Sequence, residues 1–241
     1  MSSDNLKLDF CRATRLLYRN GLSVGIAGHL SVKTGPDRMV ANRFGPSFGT
    51  LMPEDLLTLD LKGNIIEGKG FVNDTIRLHG VIHQHNPDVI ALAHMHPPAV
   101  VTLSALRTVP EVYDQESCFL AGEVGIVEEE YSGLASTEER VRPMAEGLKK
   151  YHAIILPNHG AITRGQNVQQ AVFFMLLLEG MAMRNLTVVG AARAMGVTPR
   201  PIAPEIAQAT KKELSGLKAL PMVWEDFMTK LRATDPQLFA N

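Results

Sequence analysis

The amino-acid sequence predicts an α/β fold, a single domain whose central mixed, largely antiparallel β-sheet is layered between helices. Three observations predict it. The first third of the 241 residues alternates short β-rich runs with turns marked by Gly and Pro. The later part alternates apolar strand-like runs with helical patterns. No repeat, low-complexity tract or clear linker divides the chain, and its length allows one full core. The expected domain is therefore 1–241, with a helical extension over about 197–241.

A first helix fits the stripe Leu6, Phe10, Ala13, Leu16 and Leu17, with Asp4 as its cap and Gly21 at its end. The Gly-rich segment GLSVGIAGHLSV follows; its glycines fit a backbone that approaches a partner closely, and its end is strand-like. Strands are expected at Arg38–Asn42, Leu57–Asp60 and Ile65–Glu67, with the loop NRFGPSFGTLMPEDL after the first. A helix starts at Asn73–Asp74, carries Ile76, His79, Gly80 and His83 at helical spacing, and stops near Asn86–Pro87.

VIALAHMH reads as a strand ended by Pro97–Pro98, and a helix follows over Ala99–Leu106. EVYDQESCFLAGEVGIVEEEYSG is mixed and holds a short strand or two. SGLASTEERVRPMAEGLKKY reads as a helix capped by Ser136 or Thr137. HAIILPNHGAITRG is two strands around a turn. The run from Val168 to Gly196 is a long apolar helix that should be buried, and the Pro-rich tail becomes helical through about residue 231.

Composition narrows the function classes. The net charge is -1, so no basic field draws nucleic acid or an anionic membrane. Cys11 and Cys118 are too few for a disulfide framework, which fits a reducing cytoplasm. The N-terminal stretch is amphipathic without a signal-peptide run, and the apolar stretches near 171–179 and 154–157 fall short of the roughly 20 residues of a span. The expectation is a cytoplasmic protein with no membrane and no nucleic-acid partner.

The chemistry starts at AHMHPP. Residues i and i+2 of a strand share a face, so His94 and His96 aim two imidazoles at one point. An H-x-H pair alone is weak evidence, since His83 and His85 form another. His159, in the turn of PNHGAITRG, supplies a third ring; its plain alternative is a turn histidine bonded to its own backbone. Three histidines are a usual closure for a catalytic metal with an open position.

With these segments in order, the chain resembles the class II aldolase/adducin family. GIAGHLSV, PEDLLTLDLKGNIIEG, RLHGVIHQHNPDVIALAHMHPP and LPNHGAITRG carry the resemblance, which spans about residues 6–190. It implies a zinc or manganese ion on His94, His96 and His159, with iron or cobalt also compatible with such a site. It also implies a homotetramer with sites near subunit interfaces.

Two departures stand out. The family's metal-binding, proton-abstracting Glu falls at Thr75, four positions before His79, which is expected to buttress the site. The family's Gly-Asn pair is Gly28–His29, and its phosphate-holding serines fall at Asn73 and Asp74, where an acidic residue would repel a phosphate. Tyr113 and Glu116 lie near the family's tyrosine proton donor, which a neighbouring subunit often lends; Tyr131 is another candidate.

Three neutral imidazoles leave a divalent charge uncompensated, which suits a small anionic chelating substrate. Loss of the Glu removes the obvious base of aldol cleavage. The expected activity is therefore a divalent-metal-dependent lyase, a decarboxylase of a hydroxylated aromatic or heteroaromatic (di)carboxylate. A class II aldolase acting on an unphosphorylated hydroxy-keto acid or sugar is the alternative, and a non-catalytic adducin-like binding module the reading from another class. Arg43 could pair with the substrate carboxylate, with Ser47 and Thr50 beside it, and His29 could touch substrate or act as acid. Arg43 reads equally well as a solvated loop arginine, and His29 almost as well as a packing residue.

Overall fold

The computed structural model describes residues 3–129, 133–135, 137–217 and 219–239. Eight strands form one sheet: β1 (His29–Gly35), β2 (Arg38–Asn42), β3 (Leu56–Asp60), β4 (Ile65–Glu67), β5 (Ala91–Met95), β6 (Val124–Ile126), β7 (Ala153–Leu156) and β8 (Gly160–Gly165). Their order is β4-β3-β2-β1-β5-β8-β7-β6. Every neighbouring pair is antiparallel except β6–β7, so the sheet is mixed and largely antiparallel, as the pattern of turns predicts.

Helices cover both faces. Strand alternation decides which residues each face receives. Ala91, Ala93 and Met95 of β5 and Leu30 and Val32 of β1 join the larger core, with Phe10 and Leu17 of α1 (Ser3–Arg19) and Val172, Met175 and Leu178 of α5 (Val168–Met195). Leu92 of β5 joins the opposite core, with Leu78 and Ile82 of α2 (Arg77–His85) and Val141, Ala145 and Leu148 of α4 (Glu138–Lys150). His94 therefore shares the α2 face with Leu92. His29 and Ser31 lie on that same face, out of step with Leu30 and Val32.

Several expectations need correction. Asp4 falls inside the first turn of α1 instead of preceding it. Thr137 stands at the cap position of α4 without a side-chain capping bond, and Ser136 lies outside the described residues. Helix α3 (Pro98–Ser104) begins at its proline, because a residue without an amide N–H suits the first turn. The tail is two helices, α6 (Pro204–Gly216) and α7 (Ala219–Thr234), and Pro221 is the reason: it is tolerated in the first turn of α7 and would break a continuous helix.

Helix α5 is only partly buried. Its 28 residues are long and apolar enough to cross a membrane by length and composition alone. In the fold it packs on β5 and β8. At roughly 42 Å it outruns the strands beneath it, and its C-terminal part leaves Met183, Val189 and Met195 exposed. It ends at Gly196 in the left-handed conformation, φ +66°.

The C-terminal segment is tied to α1 by a buried ion pair. The Arg15 guanidinium donates to the Asp235 carboxylate and to the carbonyls of Phe48 and Leu51, both at 3.1 Å. Arg19 Nε adds a 3.1 Å contact to the same carboxylate. Removing one partner of a buried pair strands the other charge, at about 3–5 kcal/mol. Asp235→Ala should lower the unfolding free energy by that amount in urea titration; an unchanged midpoint would show the pair to be unimportant.

Candidate metal centre and active-site cavity

His94 lies near the end of β5 and His96 one residue beyond it, before Pro97 turns the chain into α3. His159 stands in the two-strand turn between β7 and β8, after Asn158 in the left-handed region at φ 55°. The backbone N–H of Asn158 donates to Ser104 Oγ at 3.0 Å, so α3 anchors the turn. Gly160 lets the turn come close: a Cβ there would sit 2.2 Å from the Met95 carbonyl oxygen and 2.9 Å from His96 Cδ2.

The three rings converge. Their centroids lie 4.8–5.0 Å apart, and one ring nitrogen from each falls within 4.8 Å of the others. His94 Nδ1 donates to the Ala161 carbonyl at 3.1 Å. That bond fixes the neutral tautomer and leaves Nε2 as a lone pair. This Nε2 faces His96 Nε2 at 3.2 Å. Two imidazole nitrogens on a tetrahedral zinc, each about 2.0–2.1 Å from the ion, would be about 3.3 Å apart. The donor set therefore fits a divalent cation.

Burial keeps the rings neutral. Desolvation holds His94 well below the ordinary imidazole range, with neighbouring histidines adding to it, and burial followed by the His96 ring lowers His159 to about 4. Neutral imidazole is the form that ligates metal.

Beside the three rings opens a cavity of about 300 Å³. Gly28, His29, Asn73 and Thr75 line it as well as the three metal candidates. Gly28 has φ +96°, and a Cβ there would sit 2.7 Å from Met95 Sδ, so only glycine fits. His29 pairs with His94 across β1–β5, with ring centroids 4.9 Å apart. The rest of the wall is mostly apolar: Val24, Ile26, Phe44, Val72 and Leu134 among others. Among the described residues no Asp, Glu, Lys or Arg lines it.

Other candidates fall elsewhere. Arg43 is turned onto Asp55, with Nε at 2.8 Å and Nη2 at 2.6 Å, and does not line the cavity. A tertiary carboxylate has taken the fork that a substrate carboxylate was expected to fill. Ser47 and Thr50 bond each other at 3.3 Å in the same loop, also away from the cavity. Asp74 is exposed, because the short 3-10 turn before α2 points it outward, and it does not line the cavity. Asn73 caps that turn by accepting from the Thr75 N–H at 3.1 Å. Tyr113 and Glu116 do not line the cavity of this chain; the segment that carries Glu116 packs on α5 and α6. Tyr131 lies outside the described residues.

His79 is fully buried behind the cavity and contacts His29, with Nε2 2.7 Å from His29 Nδ1. Sequence reading missed Ser31, which joins His79 to His83, and Asn42, whose Oδ1 accepts from the Leu30 N–H at 3.0 Å in the cavity wall. The alternation that paired His94 with His96 would have found Ser31 two residues after His29.

The comparisons with known proteins agree with this geometry. The chain matches the family described as Class II Aldolase and Adducin N-terminal domain over residues 8–186, and so belongs to it. Two relatives at the same identity are named for different reactions. L-fuculose phosphate aldolase of Methanococcus maripaludis is 29% identical over 178 residues, covering 74% of this chain and 94% of that protein. Decarboxylase NovR of Streptomyces niveus is 29% identical over 214 residues, covering 87% and 75%. Among solved structures, L-fuculose 1-phosphate aldolase from Glaciozyma antarctica PI12 matches with a TM-score of 0.86 at 25% identity, over 99% of this chain and 92% of that one.

Two outcomes follow. Purified protein should carry one divalent ion per chain by elemental analysis, and His94→Ala or His159→Ala should lose it; full retention in both would reject the three-histidine centre. The second concerns pH. Burial lowers His83 from the ordinary 6.5 to about 4. Below pH 6.5 the unfolded chain binds protons that the folded chain refuses. Stability is then full above 6.5 and lost as pH falls toward 4. Urea midpoints of chelator-stripped protein should drop between pH 7 and 5, and less in His83→Gln; a flat profile would contradict the buried neutral rings.

Proposed function

We propose that this chain is a divalent-metal-dependent carboxy-lyase acting on a hydroxylated aromatic or heteroaromatic acid, with the metal on His94, His96 and His159. The observation that carries the reading is the make-up of the cavity. Its ionisable side chains, among the described residues, are four histidines. Three are committed to the cation, so His29 is the one left to move a proton.

A bound divalent cation would supply Lewis acidity, stabilising negative charge that develops beside the breaking carbon–carbon bond. The protein's residues do the rest. The apolar wall of Val24, Ile26, Phe44 and Val72 suits a flat ring and keeps water away from it. His29 Nε2 accepts the proton of the substrate hydroxyl. After carbon dioxide leaves, the same nitrogen returns that proton to the ring carbon. Thr75, 3.1 Å from His29 Nε2, holds the ring in place.

Aldol cleavage of an unphosphorylated hydroxy-keto acid is the second reading, and the aldolase relatives favour it. It needs a base strong enough for a sugar-type hydroxyl, and the family's carboxylate position is Thr75. A phosphorylated substrate is disfavoured for a different reason from the one expected: among the described residues the wall offers no Lys or Arg to a dianion. Zinc or manganese, one per subunit, fits the all-nitrogen set with open positions. A cytoplasmic homotetramer completes the proposal; the exposed Met183, Val189 and Met195 of α5 are apolar surface that an interface would cover.

A panel of ortho-hydroxybenzoates, hydroxypyridine carboxylates and hydroxy-keto acids, monitored for carbon dioxide and for aldehyde, decides between the two. Carbon dioxide without aldehyde is expected, and aldehyde alone would reject the carboxy-lyase. His29→Gln should cut turnover by about 10²–10⁴ while the metal content stays unchanged; full activity in that variant would remove His29 from the mechanism.

A further inference from the structure

Behind the cavity runs a continuous line of buried hydrogen bonds. Thr75 Oγ1 is 3.1 Å from His29 Nε2, and His29 Nδ1 is 2.7 Å from His79 Nε2. His79 Nδ1 is 2.6 Å from Ser31 Oγ, which is 2.9 Å from His83 Nε2. His83 Nδ1 is 3.1 Å from the Val89 carbonyl oxygen. Each of the five side chains is buried, and Ser31, His79 and His83 have no exposed surface. The line crosses from β1 to α2 and back, and ends in the loop before β5.

The line has one free choice, and the carbonyl makes it. It contains five contacts. Three neutral imidazoles and two hydroxyls bring one proton each, so every contact receives one only if all are shared in one direction. A carbonyl oxygen can only accept. His83 must therefore donate from Nδ1, which leaves its Nε2 bare. Ser31 must give its hydroxyl proton to that nitrogen. His79 must then donate from Nδ1 to Ser31, and its bare Nε2 must accept from His29 Nδ1. His29 is left with a lone pair on Nε2, which the Thr75 hydroxyl fills until a substrate hydroxyl takes its place. The five side chains of the line are buried and none of them carries a counter-charge, so a charged ring would lie unpaired in a medium that solvates it poorly; three neutral rings are the condition the count requires.

We propose that Ser31 and His83 are positioning residues, which transmit the direction set by the Val89 carbonyl through His79 and so fix His29 as the Nδ1–H tautomer with its Nε2 lone pair at the cavity. Reversing the line would put a proton on Nε2 and turn the cavity-facing nitrogen from an acceptor into a donor. An orienting group beside a reactive or ligating histidine is a familiar device. Here the Val89 carbonyl acts on His29 through four hydrogen bonds in series. The catalytic meaning rests on His29 being the proton carrier; the tautomer itself does not.

Neutron diffraction from deuterium-exchanged crystals of the metal-loaded protein tests this without any substrate. Deuterons are expected on Nδ1 of His29, His79 and His83, with Nε2 of each bare. A deuteron on Nε2 of His29 or His79 would overturn the proposal. In Ser31→Ala the same experiment should leave His83 unchanged, since its carbonyl partner remains. His79 and His29 should then show deuterons divided between their two nitrogens, and Ser31→Thr should restore single occupancy on Nδ1. Unaltered tautomers in Ser31→Ala would remove Ser31 and His83 from the assignment. If the wild-type tautomers are as stated and His29→Gln still decarboxylates, the proton-carrier reading fails and the positioning line stands.

Discussion

Everything at this site depends on the antiparallel register that sets β1 beside β5. It places His29 opposite His94 and, by the two-residue repeat of a strand, turns both toward α2. A slip of β1 by one residue would send His29 into the large core of α1 and α5 and leave Leu30 facing the cavity. The register is held on the other side by that core, through Leu30, Val32, Ala91 and Ala93. Packing on one face of the sheet thus fixes chemistry on the other.

Neutrality is the second constraint. Six of the eight histidines lie at or behind one cavity, and no carboxylate or fixed cation lines it among the described residues. Charging these rings together would put like charges within 5 Å in a medium that solvates them poorly. The arrangement is stable only as neutral imidazoles, which makes it both a store of metal-ligating lone pairs and a set of tautomers that hydrogen bonds can order. A glutamate in place of Thr75 would change that balance by adding a fixed negative charge to the cavity that the three rings line. Relatives at the same identity are named for an aldolase and for a decarboxylase.

Much of this was legible in the residues because it rests on local periodicity. His94 and His96 follow from i, i+2 alternation, His159 from a turn between two apolar strands, and the sheet from hairpin spacing. What was not legible depends on tertiary partners. Arg43 reads as a fork waiting for a carboxylate until the fold brings Asp55 to it. Asp74 reads as a neighbour of the site until a 3-10 turn points it to solvent. The line through Ser31 and His83 needs β1 and α2 in contact, which no spacing within either element announces. The exposed end of α5 depends on how far the sheet extends beneath it.

The central claim is that rings from β5 and from the β7–β8 turn share one cation. Anomalous diffraction at the metal's absorption edge tests it most directly. The account predicts a single strong peak about 2.0–2.1 Å from one nitrogen of each of His94, His96 and His159, with open coordination toward the His29 side. A peak elsewhere, or none in protein purified without chelator, would contradict it.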